Sequence, residues 1–351
     1  MRPRWEIVHV DLVSSIRLRR LGGVCLGLGL TLSPGCRPDH PHADPDGRDA
    51  GAAVSCAAAD FRIARFPLDG VNGHDWVING YVDLDASKTG IEDYRGHTGA
   101  RARTYEGHRG IDIDIPSFRQ MDSGAAVIHA VAPGIVDQVI QDHPDRNVHC
   151  NGPWNLVRVR HASGFYVLYG HIKRGSSRVT VGQSVGAGTP LAIVGSAGCS
   201  TQPHLHLEVQ SCSRAAIETL SQAGMWSRPP DYDPASDVLD LMLMIGGAPT
   251  LAQIKDPPPD ARVVAPGALL GVGLSAAIRG GDLVALELIG PQGHSSLQTF
   301  AMTEGAPFGH RYASAAFPIG RAAGRWTIEA WINGVLAARR AFTVPAIEPL
   351  R

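Results

Sequence analysis

The stretch "PHLHLEV", 203–209, sets His204, His206 and Glu208 at alternate positions, with Leu205, Leu207 and Val209 making up the rest. Successive side chains of a β-strand point to opposite faces, so a strand here carries two imidazoles and a carboxylate on one side. Its other side is apolar and predicts a core contact. The polar side is either solvated or holds something. A second cluster stands upstream in "GHRGIDIDIP", 107–116, where His108 and Asp112 are four apart with a glycine between them. A third, "YGHI" at 169–172, puts His171 near the end of a strand. One His and one Asp at that spacing mean little alone. Together with "HLHLEV" they suffice for a tetrahedral zinc site, with three protein ligands and a fourth position left for water.

Strands must carry these groups, and the chain from about Phe61 to Pro230 reads as β-rich. The runs 125–132, 134–141, 155–162, 165–172 and 190–195 are rich in β-branched and aromatic residues and are separated by Pro-Gly, Ser-Gly and single glycines. Ser163-Gly164 predicts a hairpin and hence antiparallel pairing. Beyond Pro234, "ASDVLDLMLMI" reads as a short apolar helix, and "KDPPPDA" at 255–261 as the domain boundary. Runs at 282–290, 310–319 and 325–344, with the type I′ signal Asn333-Gly334, then predict five to seven short strands in a small immunoglobulin-like sandwich. Trp326 and Trp331 fall on opposite strand faces there, so at most one belongs to a core. Nothing in this segment looks catalytic, which makes it a spacer or a binding module.

Taken in chain order the three clusters resemble the lysostaphin-like, or LytM-type, zinc metalloendopeptidases, which cleave peptide bonds in the bacterial cell wall. That family pairs an HxxxD box with a single His at a strand end and then HxH. The framing text "AVAPGIV", "VRHASGFYVLYGHI" and "VTVGQSVGAGTPLAIVGSAG" also reads like its successive strands. The resemblance covers about 100–210, extending towards Phe61, and leaves out the sandwich. It implies an antiparallel LytM-type peptidase domain, which with the strand pattern beyond it gives a mainly β chain, the peptidase domain being followed by the sandwich. It further implies one Zn²⁺ held by His108, Asp112 and His206, with His171 and His204 as catalytic histidines beside the water. Which of the two is the base stays open. Glu208 is either an acceptor that orients a ligand imidazole or a solvent-facing carboxylate, and Asp114 is read as structural. At 202 the family's usual glycine is replaced by Gln202, which is expected to alter the loop backbone or the groove wall.

The resemblance implies an endopeptidase acting on peptidoglycan stem-peptide cross-links. A silent envelope scaffold that activates a partner amidase is the alternative, and the presence of all five positions argues against it. Gly-rich proteins outside the wall are a third substrate class. Residues 61–107 either occupy the site or form the first strands and one groove wall. The remaining histidines read blandly: His40 and His42 as linker residues, His129 as core or edge, His161 as packing or hydrogen-bonding. His143 and His149 belong to a groove loop with Cys150. His74, His97, His294 and His310 have no neighbouring motif.

At 351 residues the chain has room for about two domains. It is 44% hydrophobic and 19% charged, with 41 glycines and 25 prolines, which favours short strands and turns. A net charge of -1 supplies no basic field for a phosphate backbone, which argues against nucleic acid. Arg17, Arg19 and Arg20 precede the apolar run 21–32, which is too short to span a bilayer and reads as an export signal. It ends in "SPGC", so Cys36 is a candidate lipid anchor, although Ser33 stands where a lipobox has leucine. The expected organisation is a signal peptide over 1–35, a linker over 36–60, a zinc peptidase domain over 61–235, a helical and proline-rich connector over 236–260, and the sandwich over 261–351. An exported monomer in the periplasm, as an outer-membrane lipoprotein or secreted, is expected to meet peptidoglycan peptide as substrate. Cys56, Cys150, Cys199 and Cys212 suit disulfides in that compartment. Cys199 with Cys212 is the favoured pair, because they bracket the opening motif.

Overall fold

Alternating apolar residues build an antiparallel sheet across the first half of the chain, seen in a computed structural model that describes residues 61–88, 90–96, 107–293, 295–302 and 307–347. The expected signal peptide and linker, Cys36 and Cys56, and His40, His42, His97 and His294 lie outside the described residues. The elements of this half are β1 (Val77–Gly80), β2 (Ile111–Asp114), α1 (Phe118–Ser123), β3 (Val127–His129), β4 (Gly134–Ile140) and β5 (Leu156–Arg160). They continue with β6 (Tyr166–Gly170), β7 (Ser184–Val185), β8 (Pro190–Ile193), β9 (His204–Gln210) and β10 (Ala216–Ile217). The main sheet runs β1-β2-β9-β6-β5-β4-β7, with β10 also pairing β9, while β3 and β8 form a separate ladder.

The predicted runs at 134–141, 155–162, 165–172 and 190–195 correspond to β4, β5, β6 and β8. The run at 125–132 gives only the short β3, whose ladder with β8 breaks register between Ile128 and His129. The Ser163-Gly164 turn joins β5 to β6 antiparallel as expected, with Gly164 at φ +82°. β9 lies between β2 and β6, so all seven of its residues are buried. Leu205, Leu207 and Val209 enter a core with Ile113, Val167 and Tyr169. The described part of the upstream segment supplies β1 at the sheet edge, against β2.

The second half holds β11 (Asp237–Ile245), α2 (Leu251–Lys255), β12 (Leu269–Ile278), β13 (Leu283–Ile289), β14 (Ser295–Ala301), β15 (Gly309–Pro318), β16 (Gly324–Ile332) and β17 (Val335–Val344). Two sheets, β11-β12-β15 and β14-β13-β16-β17, share one core through Leu241, Val272, Leu274, Leu286, Ile328 and Phe342. Trp326 enters that core while Trp331 is part exposed. One expectation is corrected here. Residues 237–245 form a strand and not a connector helix, and the sandwich begins before the 255–261 break. A continuous apolar run does not distinguish the two by periodicity, and β12 supplies the ladder partner that decides it. Among the described residues of this half, α2 is the one helix, opened by a capping box between Thr250 and Gln253. Val77 of β1 packs with Ala277 and Phe308, which ties the two halves together. Among the described residues no helix is long and apolar enough to cross a membrane.

Candidate active site

Register brings the sequence clusters together. In the β2–β9 ladder Asp112 stands opposite His206 and Asp114 opposite His204, and in the β6–β9 ladder Gly170 stands opposite His206. The turn from His108 to Asp112 presses against β9 at Gly110. A Cβ there would lie 2.6 Å from the Leu207 carbonyl oxygen and 2.8 Å from His206 Nε2, so this approach requires glycine. His108 Nε2 and His206 Nδ1 each lie 3.0 Å from Asp112 Oδ1, and 3.2 Å from one another. The three side chains are nearly withdrawn from solvent, at 8–10% exposure.

The outer nitrogens of these imidazoles fix the tautomers. His108 Nδ1 donates to the Tyr81 carbonyl at 2.7 Å, and His206 Nε2 faces Glu208 Oε2 at 3.4 Å. Both rings therefore turn a lone pair inward, where the Asp112 carboxylate also points. Three such atoms converging in a buried space suit a bound cation. Burial opposes charge on Asp112, but His108 and His204 outweigh it and hold its carboxyl well below the usual range. Burial likewise opposes charge on His206, yet Asp112 and Glu208 push that imidazole up to about 10, so in the metal-free chain Nδ1 holds a proton that a bound ion displaces to free the lone pair. Two imidazole nitrogens and one carboxylate oxygen suit Zn²⁺, and the three ligand atoms lie within 4.8 Å of one another. The residues present fit the ion. Glu208 resolves in favour of the buried alternative: it is 3% exposed and accepts from Arg109 Nε and Gln210 Nε2, each at 2.9 Å.

His171 and His204 stand side by side, ring centroids 4.4 Å apart. His171 Nδ1 donates to the Ala197 carbonyl at 2.5 Å, and His204 Nδ1 to the Gln202 carbonyl at 2.9 Å. Each ring then keeps Nε2 as its proton-accepting atom, and His204 Nε2 lies 3.7 Å from Asp112 Oδ1. Burial first, then the neighbouring His204 and His206, hold His171 well below the usual imidazole range, so it is neutral. Its φ of +60° is left-handed, a conformation that non-glycine residues adopt mainly where function or local bonding demands it.

Trp154, which the sequence did not single out, walls the site at 5.3 Å from His171 and 5.8 Å from His206. Its loop is tied to the segment before β9. Cys150 is bonded to Cys199, which corrects the expected Cys199–Cys212 pair. Asn147 Nδ2 donates to the Gly198 carbonyl at 2.8 Å, and Ser196 Oγ to the Asn147 carbonyl at 2.7 Å. The bracketing cysteines sit at opposite ends of β9, and only Cys199 faces the 141–155 loop. Gln202 keeps an ordinary backbone. Its side chain donates to Asp114 and accepts from Tyr312 Oη at 2.8 Å. Asp114 also meets His310 Nδ1 at 3.1 Å, so His310 has a site-adjacent place that no local motif announced. His161 donates to the Pro133 carbonyl at 2.7 Å, the packing role expected of it. His129 is buried at the end of β3, and His74 pairs with Asp237 near the surface.

Residues 106–217 match the sequence model of Peptidase family M23. A protein of Haemophilus influenzae named as an uncharacterized metalloprotease is 32% identical over 108 residues, covering 31% of this chain and 19% of that protein. The chain thus spans about a fifth of that relative's length. The catalytic domain of a prophage-encoded M23 protein of Enterococcus faecalis is 25% identical, covering 39% of this chain and 88% of that one at a TM-score of 0.26. The catalytic domain of lysostaphin from Staphylococcus simulans is 20% identical, with 40% and 84% covered and a TM-score of 0.25. An immunoglobulin-like protein of Pseudomonas aeruginosa is 15% identical, with 32% and 99% covered and a TM-score of 0.22.

Proposed function

We propose that this chain, which carries an M23-type peptidase domain, is a zinc-dependent endopeptidase of bacterial peptidoglycan, cutting stem-peptide cross-links. One observation carries the reading: three inward lone pairs from His108, Asp112 and His206 lie beside two further imidazoles, His171 and His204, fixed in the same tautomer. One Zn²⁺ held by the three ligands supplies Lewis acidity that polarises a peptide carbonyl and acidifies water. The chain's own groups do the rest. A neutral imidazole at 171 or 204 takes a proton from water at Nε2 and returns it to the leaving amine. To donate to the oxyanion that the attack creates, the other must carry a second proton at Nε2, because its Nδ1 proton is held by a backbone carbonyl. Trp154 excludes bulk water from one side, which strengthens each of these interactions.

The M23 match supports this substrate class, and the expected export signal and candidate lipid anchor at Cys36 support work outside the cytoplasm on the wall. A monomer suffices, since all five groups come from one chain. Zinc content and muropeptide release from purified peptidoglycan test the proposal. His204→Ala is expected to retain zinc and to lose about 10²–10⁴-fold in release rate. Equal release by the parent and this variant would refute the peptidase reading. A metal-free chain that still stimulates a partner amidase would favour the scaffold instead.

A further inference from the structure

His204 takes its orientation from the loop before it. The Gln202 carbonyl accepts from its Nδ1 at 2.9 Å, and Ser200 Oγ lies 3.1 Å from the same atom. That loop is held from the other half of the molecule. Lys255 of α2 donates from Nζ to the Thr201 carbonyl at 3.0 Å. Tyr312 of β15 donates to Gln202 Oε1 at 2.8 Å, while Gln202 Nε2 donates to the Asp114 carboxylate. Asp114 accepts in addition from Asn79 Nδ2 at 2.5 Å and pairs with His310 Nδ1. His310 Nε2 in turn meets Ser275 Oγ of β12 at 2.6 Å.

Interfaces between domains of one chain are ordinarily polar and permit relative motion. Here the contact is a buried polar chain: Gln202 is 9% exposed, Lys255 7%, His310 5% and Asp114 2%. Each polar atom withdrawn from water loses more by moving than an exposed pair would, so the network holds its members to one arrangement. One of its bonds to the sandwich joins positions 110 apart in sequence, Gln202 and Tyr312, and the Gln202 carbonyl accepts from His204.

We propose that the sandwich is a working part of the active site: Tyr312 and Lys255 are positioning residues that hold the Gln202 loop, and through its carbonyl fix the tautomer and aim of His204. The inference rests on the peptidase reading only in naming His204 as a working imidazole. It assigns the sandwich a task other than spacing or wall binding.

The test uses the full chain, zinc-loaded, with Tyr312→Phe, Gln202→Ala and the double variant. Two readouts are taken: kcat and KM for muropeptide release, and the ¹⁵N resonances of the His204 ring, assigned by their loss in His204→Ala. Tyr312→Phe is expected to lower kcat about tenfold at unchanged KM and zinc content, because misplacing a catalytic group acts on the chemical step. The His204 Nδ1 resonance is expected to shift, and Tyr312→Phe to add nothing once Gln202→Ala is present. Parental kcat and resonance in Tyr312→Phe overturn the proposal, and so does full additivity of the two substitutions. If the parent releases no muropeptides, the peptidase reading falls and the resonance alone decides the positioning role, upheld by a shift and overturned by none. Should Tyr312→Phe fail to fold, Lys255→Met, which removes the Thr201 contact, is judged by the same criteria.

Discussion

The Glu208 carboxylate lies outside the three converging ligand atoms, yet the inward lone pair of His206 depends on it. A proton held between Nε2 and Glu208 Oε2 is what leaves Nδ1 free for a metal. Burial would raise the Glu208 carboxyl, but His206, Gln210 and Arg109 hold it below its usual value, so it stays an anion. Glu208→Ala is therefore expected to weaken zinc binding about 10–100-fold. Glu208→Gln, which keeps an acceptor but not the charge, should fall between. Competition against a chromophoric chelator measures both, and three equal affinities would remove Glu208 from the site. Strand alternation made His204, His206 and Glu208 legible as one face, and family spacing brought in His108, Asp112 and His171. Gln202 stood out only as a departure from the family's glycine, and its partners His310 and Tyr312 were not legible. No periodicity links residues that meet across more than a hundred positions, and each is unremarkable in its own segment.

Elements that carry their own pairing signal were readable, and those defined by a partner were not. β5 and β6 follow from β-branched alternation around Ser163-Gly164, and β16 and β17 from Asn333-Gly334 at φ +52° and +80°. β11 becomes a strand because β12 offers a ladder along it, broken once between Val238 and Asp240, so tertiary context decided what propensity left ambiguous. The cysteines show the same limit, since the 141–155 loop folds back on 196–200 and brings Cys150 to Cys199. Replacing both by serine opens a closure of 49 residues and should cost about 2–4 kcal/mol of stability. No zinc ligand lies in the tied segment, so zinc affinity should stay at the parental value. Release rate should fall as Trp154 loosens against His171. Urea unfolding beside a zinc titration separates these effects, and an unchanged unfolding midpoint would show that the hydrogen bonds alone hold the loop.

At the scale of the whole molecule, two cores meet through the Phe308 cluster and the Asp114–His310 network, and several imidazoles are buried in the neutral form. His161 gives the clearest consequence for stability. Its Nδ1 donates to Pro133, its ring packs against Phe61 at 4.8 Å, and its Nε2 is buried with no hydrogen-bond partner. A second proton would land on that bare nitrogen, and burial, opposed only by the Pro133 bond, lowers the pKa below 6.5. Above pH 6.5 both folded and unfolded chains carry a neutral ring, and the group contributes no slope. As pH falls through 6.5 the unfolded chain takes up the proton first, so stability drops until the lower folded pKa is reached, then levels. The slope is bounded at about 1.4 kcal/mol per pH unit for one group. His161→Gln can still donate to Pro133 but cannot titrate. With zinc stripped from both proteins, ligand protonation cancels between them. Urea unfolding at pH 7.5 and 5.5 should then show the parent losing up to about 1.4 kcal/mol more than His161→Gln over that interval. Parallel losses would mean that the folded chain protonates His161 as readily as the unfolded one, and that the pocket between Phe61 and Pro133 opens to water in acid.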